Sequence, residues 1–286
     1  MALRLRTAAA LHGPGPQGYR PDEEILEFYR DLLGPRHSEL DETLARHGTN
    51  VAFADLAERV LRAAPEGAPH SPDLLVLAYA LHDLHPLTTV SSKLNHELGG
   101  RSRSFAVSEQ GLGAPFTALR IARSYARSGR CGSVALFVLE QATYPYPVPF
   151  ASEHRLTDSG VYLLFAEDGE GWAPSGLYTA RDPGGLRRLL RTMPSGSLVV
   201  AGPWTDPAVL EGTGLSCHRV GPGSYATSVW GALARHHREW ADRYRHLVLC
   251  DTDVRRGVSR VAAFTGATVD STVESRVGIE ATGVSR

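Results

Sequence analysis

Three polar residues in a row, Ser108, Glu109 and Gln110, stand between an apolar strand end (Phe105, Ala106, Val107) and two glycines, Gly111 and Gly113. A segment rich in Ala, Ile and Leu follows, so the stretch 104–127 reads as strand, tight turn and buried helix. A helix start carries unpaired N–H groups and partial positive charge, which suits a nucleophile or a bound oxyanion. No cysteine occupies this turn. Glu109, expected partly buried beside the helix start, could serve as a base. The amide of Gln110 could hydrogen-bond a thioester or carboxylate. Ser108 as a nucleophile would want a GxSxG elbow and a paired histidine, and neither is visible.

Other candidate chemistry is weaker. The run GPGPQG (13–18) formally matches GxGxxG after a strand, but Pro14 and Pro16 remove backbone donors and no helix starts in the turn, so it reads as a loop. Cys131, Cys217 and Cys250 are widely spaced and lie in or beside apolar runs. They read as buried small hydrophobes, with neither a disulfide framework nor a zinc site. His82, His85 and His96 share one region with Asp83 and Glu97 at a spacing that matches no compact metal set. His236 and His237 read as solvated helix residues. No metal and no cofactor is called for.

The chain has 286 residues, 42% hydrophobic and 21% charged, enough for one large domain or two fused similar ones. Thirty basic residues against 31 acidic ones leave a formal charge of −1, so nothing electrostatic points to a nucleic-acid partner. Lys93 is the only lysine; the other basic residues are arginines, as a GC-rich coding bias produces. The N-terminus is too short and too charged for a signal peptide, and no apolar run reaches the roughly 18–20 residues of a membrane span. A cytoplasmic protein is expected.

The elements that would position these residues can be read in order. Residues 2–11 form a strand, and 21–33 and 52–64 amphipathic helices, the first with Pro21 and acids at its start. A Pro/Gly loop (65–72) precedes a continuous apolar run at 73–81, and a turn and helix span 85–100 up to two glycines. Strands are expected at 133–139 and 158–165, around a Pro-interrupted loop at 144–150. Unalternating apolar runs belong to strands covered on both faces. Residues 173–194 are more polar and mark a boundary between two halves. Beyond it come a strand (197–201), a helix beginning at 206–210, a Gly/Pro turn with a helix (221–240) and strands at 246–250 and 261–264. The last residues show no periodicity. Alternating strands and helices imply a layered α/β fold.

Taken in order, these motifs resemble the ketosynthase III-like (β-ketoacyl-carrier-protein synthase III) members of the thiolase superfamily. PDLLVLAYALHDLHPLTTVSSKLNHELG is similar to that family's apolar strand, turn proline and helix ending in Leu-Gly. SFAVSEQGLGAPFTALRIARSYARSG is similar to its nucleophile strand, buried helix and closing Ser-Gly. TDSGVYLLF resembles its Gly-Asp-Gly strand, reduced to Asp158 and Gly160. VGPGSYATSVWGAL (220–233) and RYRHLVLCDTDVRRGVSRVAAF resemble its glycine-led helix start and final hairpin. The resemblance implies a five-layered α/β/α/β/α fold with two similar halves. The halves are 1–172, carrying the nucleophile turn, and a shortened 173–265, with a flexible tail at 266–286.

Family chemistry uses a cysteine that takes the acyl group and a His and Asn that stabilise the oxyanion. Carried over residue by residue, the cysteine falls at Gln110 or Gly111, the histidine near Trp204 and the asparagine near Pro222 or Gly223. None of the three is retained. The resemblance implies substrate contacts from Ser108, Gly111, His154, Trp204, Gly223 and Ser224, with Glu109 and Gln110 as catalytic candidates. His154 lies on a segment that shapes the acyl pocket in relatives. Some relatives carry Gln for Cys: decarboxylating loading domains and chain-length-factor subunits that pair with an active synthase. The implied roles are a non-condensing subunit or scaffold, or a repurposed acyl-thioester decarboxylase, acyltransferase or hydrolase. The implied partners are an acyl carrier protein or CoA thioester, and a second copy or an active ketosynthase as dimer mate.

Overall fold

The computed structural model describes residues 3–36, 38–65 and 71–266. Two five-stranded sheets organise the chain. The first holds β1 (Arg4–His12), β2 (Leu74–Ala78), β3 (Arg103–Val107), β4 (Ser133–Glu140) and β5 (Ser159–Ala166), in the order β1-β5-β4-β2-β3. The second holds β6 (Ala173–Ala180), β7 (Leu198–Ala201), β8 (Ser216–Arg219), β9 (His246–Asp253) and β10 (Val258–Thr265), in the order β6-β10-β9-β7-β8. The second order is the first shifted by five. The pairings repeat as well: two antiparallel steps, then two parallel ones. The two halves are therefore copies of one architecture.

Strand sequence explains the layering. In β4, Val134, Leu136 and Val138 enter the central core, while Ala135, Phe137 and Leu139 enter an outer one. Successive side chains point to opposite faces, so an unbroken apolar run buries both. The central core also takes α5 (Ala114–Arg127) and α8 (Ser228–Arg243) between the sheets. The outer face of the first sheet is covered by α3 (Phe53–Arg62) and α4 (Val90–Glu97). The outer face of the second is covered by α7 (Pro183–Arg191). The result is the expected α/β/α/β/α arrangement. Ahead of α3 stand α1 (Glu23–Leu33) and α2 (Glu42–His47), capped by Asp22 and Asp41. A short α6 (Pro149–Glu153) ends the Pro-interrupted loop.

Several expectations change. The strand expected at 73–81 stops at Ala78. The polar stretch at the boundary, 173–194, carries two elements that its composition did not announce, β6 and α7. The helix expected from Asp206 is a single 3-10 turn, Pro207–Leu210. Cys131 and Cys250 are buried, but Cys217 is exposed because it lies on edge strand β8. His236 is not simply solvated: it stacks on Trp240, with ring centroids 5.1 Å apart. His237 accepts no such stacking but turns Nδ1 to the carbonyl of Ala234 at 3.0 Å. Residues 66–70 of the Pro/Gly loop and 267–286 of the expected tail lie outside the described residues. Among the described residues, no helix is long and apolar enough to cross a membrane.

Candidate functional site

The chain leaves β3 through a corner with two left-handed residues, Glu109 (φ 61°) and Gly111 (φ 55°). A glutamate in that region is strained by about 1 kcal/mol or more. A 3-10 turn at Gly111–Gly113 then passes into α5, where Pro115 stands in the first turn. The hairpin of the second half holds the corner from outside: Arg256 Nη2 donates to the Glu109 carbonyl at 2.7 Å. Contrary to expectation, the Glu109 side chain is exposed, because the left-handed backbone turns it away from the helix start. Gln110 is half-buried, and its Oε1 accepts from Thr117 Oγ1 at 2.5 Å. Its amide oxygen is thus tied to α5. Ser108 is half-buried.

Gly111 is the pivotal position. A Cβ there would fall 2.3 Å from Asp253 Oδ2 and 2.7 Å from Tyr225 Oη, both closer than real Cβ contacts come. Tyr225 (1% exposed) comes from the turn before α8 and Asp253 (2%) from the end of β9. Neither Tyr225 Oη nor Asp253 Oδ2 has a well-formed hydrogen bond. Burial, and then the adjacent Asp253, raise the Tyr225 phenol above its ordinary range. Asp253 Oδ1 is bonded, accepting from the Arg255 N–H at 3.0 Å.

Rings cover this point. Tyr225 packs edge-on against Phe150 (4.6 Å between centroids) and Trp204 (5.4 Å). His154 lies between Phe150 (4.6 Å) and Trp204 (5.5 Å), and the Arg255 guanidinium sits over Phe150. Edge-to-face pairs at these separations add to the packing of their buried area. Gly111, His154 and Trp204, distant in sequence, are therefore linked through Tyr225 and Phe150. Ser224 precedes Tyr225 in the chain but opens onto a separate cleft of 360 Å³ shared with His12 and Arg235, while the Gly223 carbonyl accepts from the Thr157 N–H at 2.9 Å.

Behind the rings, one buried acid ties the halves together and a second braces α8 within its own half. Glu140, the last residue of β4, is 1% exposed and accepts from the Tyr225 N–H at 2.8 Å and from the Ala226 N–H. Burial pushes its carboxyl up to about 7 against the pull of these backbone donors and of Thr227. Asp251, also raised to about 7 by burial, accepts from Ser228 Oγ, the first residue of α8, at 2.5 Å. Its carboxylate occupies the space over Gly202, where a Cβ would fall 1.9 Å from Cγ. Among the described residues, no group of three or more His, Cys, Asp or Glu could hold a metal ion. Burial also raises the thiols, Cys131 to about 11 and Cys250 to about 12. Neither supplies a thiolate near neutrality.

No protein-family model matches the chain, and no curated protein sequence does. Solved structures do. The 3-oxoacyl-(acyl carrier protein) synthase III FabH from Pseudomonas aeruginosa PAO1 superposes with a TM-score of 0.63 at 14% identity, covering 93% of this chain and 98% of that one. A variant of OleA from Xanthomonas campestris, with lauric acid and lauroyl-CoA bound, gives 0.60 at 13% identity, covering 93% and 99%. A CsyB variant gives 0.59 at 15% identity, covering 93% and 100%. The duplicated sheets, the strained corner before a buried helix and these superpositions agree: the chain has the thiolase-like fold of ketosynthase III-type proteins.

Proposed function

We propose that this protein is a non-condensing, ketosynthase-like member of an acyl-based biosynthetic system, of the fatty-acid, polyketide or other secondary-metabolite kind. It acts in the manner of a chain-length-factor subunit or as a scaffold that holds an acyl carrier protein or CoA thioester. One observation carries this reading: the space beside Gly111, where a nucleophile's side chain would project, is taken by Asp253 and Tyr225. The rings of Phe150, Trp204 and His154 close over it. FabH is a synthase of acyl carrier protein substrates and OleA holds an acyl-CoA, which supports an acyl-thioester setting for this scaffold. A dimer, with a second copy or with an active ketosynthase, is supported by β3. It is an edge strand with Phe105 half-exposed and Ala106 exposed, leaving a row of backbone groups for a partner strand.

The test is to incubate the protein alone with acyl- and malonyl-thioesters while following free thiol and carbon dioxide. No turnover is expected, together with co-purification with a synthase encoded beside it. Turnover that disappears in Glu109→Ala, Gln110→Ala or His154→Ala would replace this reading with that of a repurposed thioester enzyme.

A further inference from the structure

The cleft beside Ser224 lies away from the rings. It is bounded by the end of β1, the start of β5, the 220–224 turn and the first two turns of α8. Its 360 Å³ falls within the range of small-molecule sites. None of the rings over Gly111 lines it. Its apolar wall comes from Leu11, Val161 and Val220.

Ser159, Ser224, Thr227 and Ser228 bring hydroxyls to this cleft, and all but one are spent. Ser159 Oγ and Thr227 Oγ1 bond each other at 2.6 Å, and Ser228 Oγ donates to Asp251 at 2.5 Å. Ser224 is the exception. It is only 7% exposed and its Oγ has no hydrogen-bond partner, yet that atom is open to water rather than sealed in the interior. A buried hydroxyl in this state calls for a partner, and the cleft is where one can enter.

Charge in the cleft has one sign. Of its lining residues, His12 and Arg235 alone can carry charge. A Cβ on Gly231 would fall 3.2 Å from Arg235 Nη1, so the guanidinium lies back along α8 towards the helix start. Partial covering lowers its pKa, and no acid offsets that. β1, β5 and the 220–224 turn contain no Asp or Glu. The acids of neighbouring segments are engaged elsewhere. Asp158 accepts from the Ala142 N–H and Thr49 Oγ1, and Glu140 from the Tyr225 and Ala226 N–H groups. Asp251 accepts from Ser228, and Glu239 pairs with His236 and Arg243. Asp242 stands exposed about two turns beyond Arg235. An unpaired guanidinium and an unspent hydroxyl donor select an anion. Two donors suit the two oxygens of a carboxylate, whereas a phosphate would turn a further charged oxygen to the apolar wall.

We propose that this cleft binds a small organic carboxylate. The carboxylate pairs with the Arg235 guanidinium and accepts from Ser224 Oγ, and a short alkyl body lies on Leu11, Val161 and Val220. The proposal stands apart from the non-condensing reading and survives if that reading fails. The full chain is titrated by calorimetry with hexanoate, with hexanamide, which matches it in length but is neutral, and with inorganic phosphate. Hexanoate binds. Hexanamide, without the charge-assisted pair, and phosphate, without the apolar contact, each bind about tenfold more weakly or not at all. Arg235→Gln and Ser224→Ala each weaken hexanoate about tenfold while the free proteins keep the parent melting temperature. Arg238→Gln, which removes an exposed α8 arginine outside the cleft, leaves hexanoate binding unchanged. Absence of hexanoate binding, equal affinity for hexanoate and either other probe, or hexanoate binding undiminished in Arg235→Gln or Ser224→Ala overturns the proposal. So does a loss in Arg238→Gln as large as that in Arg235→Gln.

Discussion

The two helices between the sheets begin in related places and are treated differently. Glu140 closes β4 and Asp253 closes β9, and these strands occupy the same place in the two sheet orders. Each acid crosses to the helix start of the opposite half. Glu140 meets the turn before α8 and is bonded by two backbone N–H groups there. Asp253 meets the turn before α5, where its Oδ2 stands against Gly111 and Tyr225 Oη without a well-formed bond. One helix start is a finished structural joint. The other is looser: Asp253 Oδ2 lies 3.9 Å from Arg256 Nε and has no tighter bond. The difference shows that equivalent strand ends in the two halves can be joined to a helix start with unequal firmness.

Removing Glu140 should do the most damage. Glu140→Ala leaves the Tyr225 and Ala226 N–H groups buried without an acceptor, and a loss of about 4 kcal/mol by chemical denaturation is expected. A loss under about 1 kcal/mol would mean that the two joints are alike. Next comes Gly111→Cys, which forces a Cβ against Asp253 and Tyr225 at a positive φ. It should cost about 3 kcal/mol, or roughly 10 °C in melting temperature, and restore no acyl transfer. A Gly111→Cys chain that melts normally and accepts an acyl group would erase the contrast.

The pH dependence is a smaller effect with a definite sign. Glu140 and Asp251 hold their protons in the folded state up to about 7, while in the unfolded chain they release them near their ordinary carboxyl range. Between these limits the folded state binds more protons, so stability falls as pH rises towards 7 and levels off above it. Glu140→Gln should make that slope shallower in thermal melts recorded at successive pH values, and an unchanged slope would remove Glu140 from the account. Tyr225→Phe should change least, within about 1 kcal/mol, because the lost hydroxyl has no well-formed bond to break. A loss above about 2 kcal/mol would show that the α5 joint is as firmly bonded as the other.

The sequence was most readable where burial is two-sided. The apolar runs of β2, β4 and β5 announce themselves because both faces are covered. Strands β6 and β8 did not, since each is an edge strand with exposed residues and owes its conformation to β10 and β7. Likewise α7 shows few apolar residues and buries only Leu186 and Leu190. At the candidate site, the resemblance pointed to Gly111, Trp204 and His154, which Tyr225 and Phe150 link, and also to Ser224, which lines a separate cleft. Tyr225, Asp253 and Glu140 were not singled out. Their partners lie far away in sequence, and local pattern carries no trace of such contacts. Arg235 was hidden for another reason: the lack of an acidic partner is a property of three-dimensional surroundings, and an arginine in a helix looks ordinary.

The crossing of Glu140 and Asp253 also bears on how the chain gains its structure. Glu140 is completed by N–H groups of the other half, Asp253 reaches across to Gly111, and Trp172 Nε1 donates to the His237 carbonyl at 2.8 Å. The first half, released by a cut after residue 172, would leave Glu140 and Trp172 Nε1 without their partners. The duplicated architecture should therefore behave as one cooperative unit: a single melting transition is expected, and a first half expressed alone is expected not to fold.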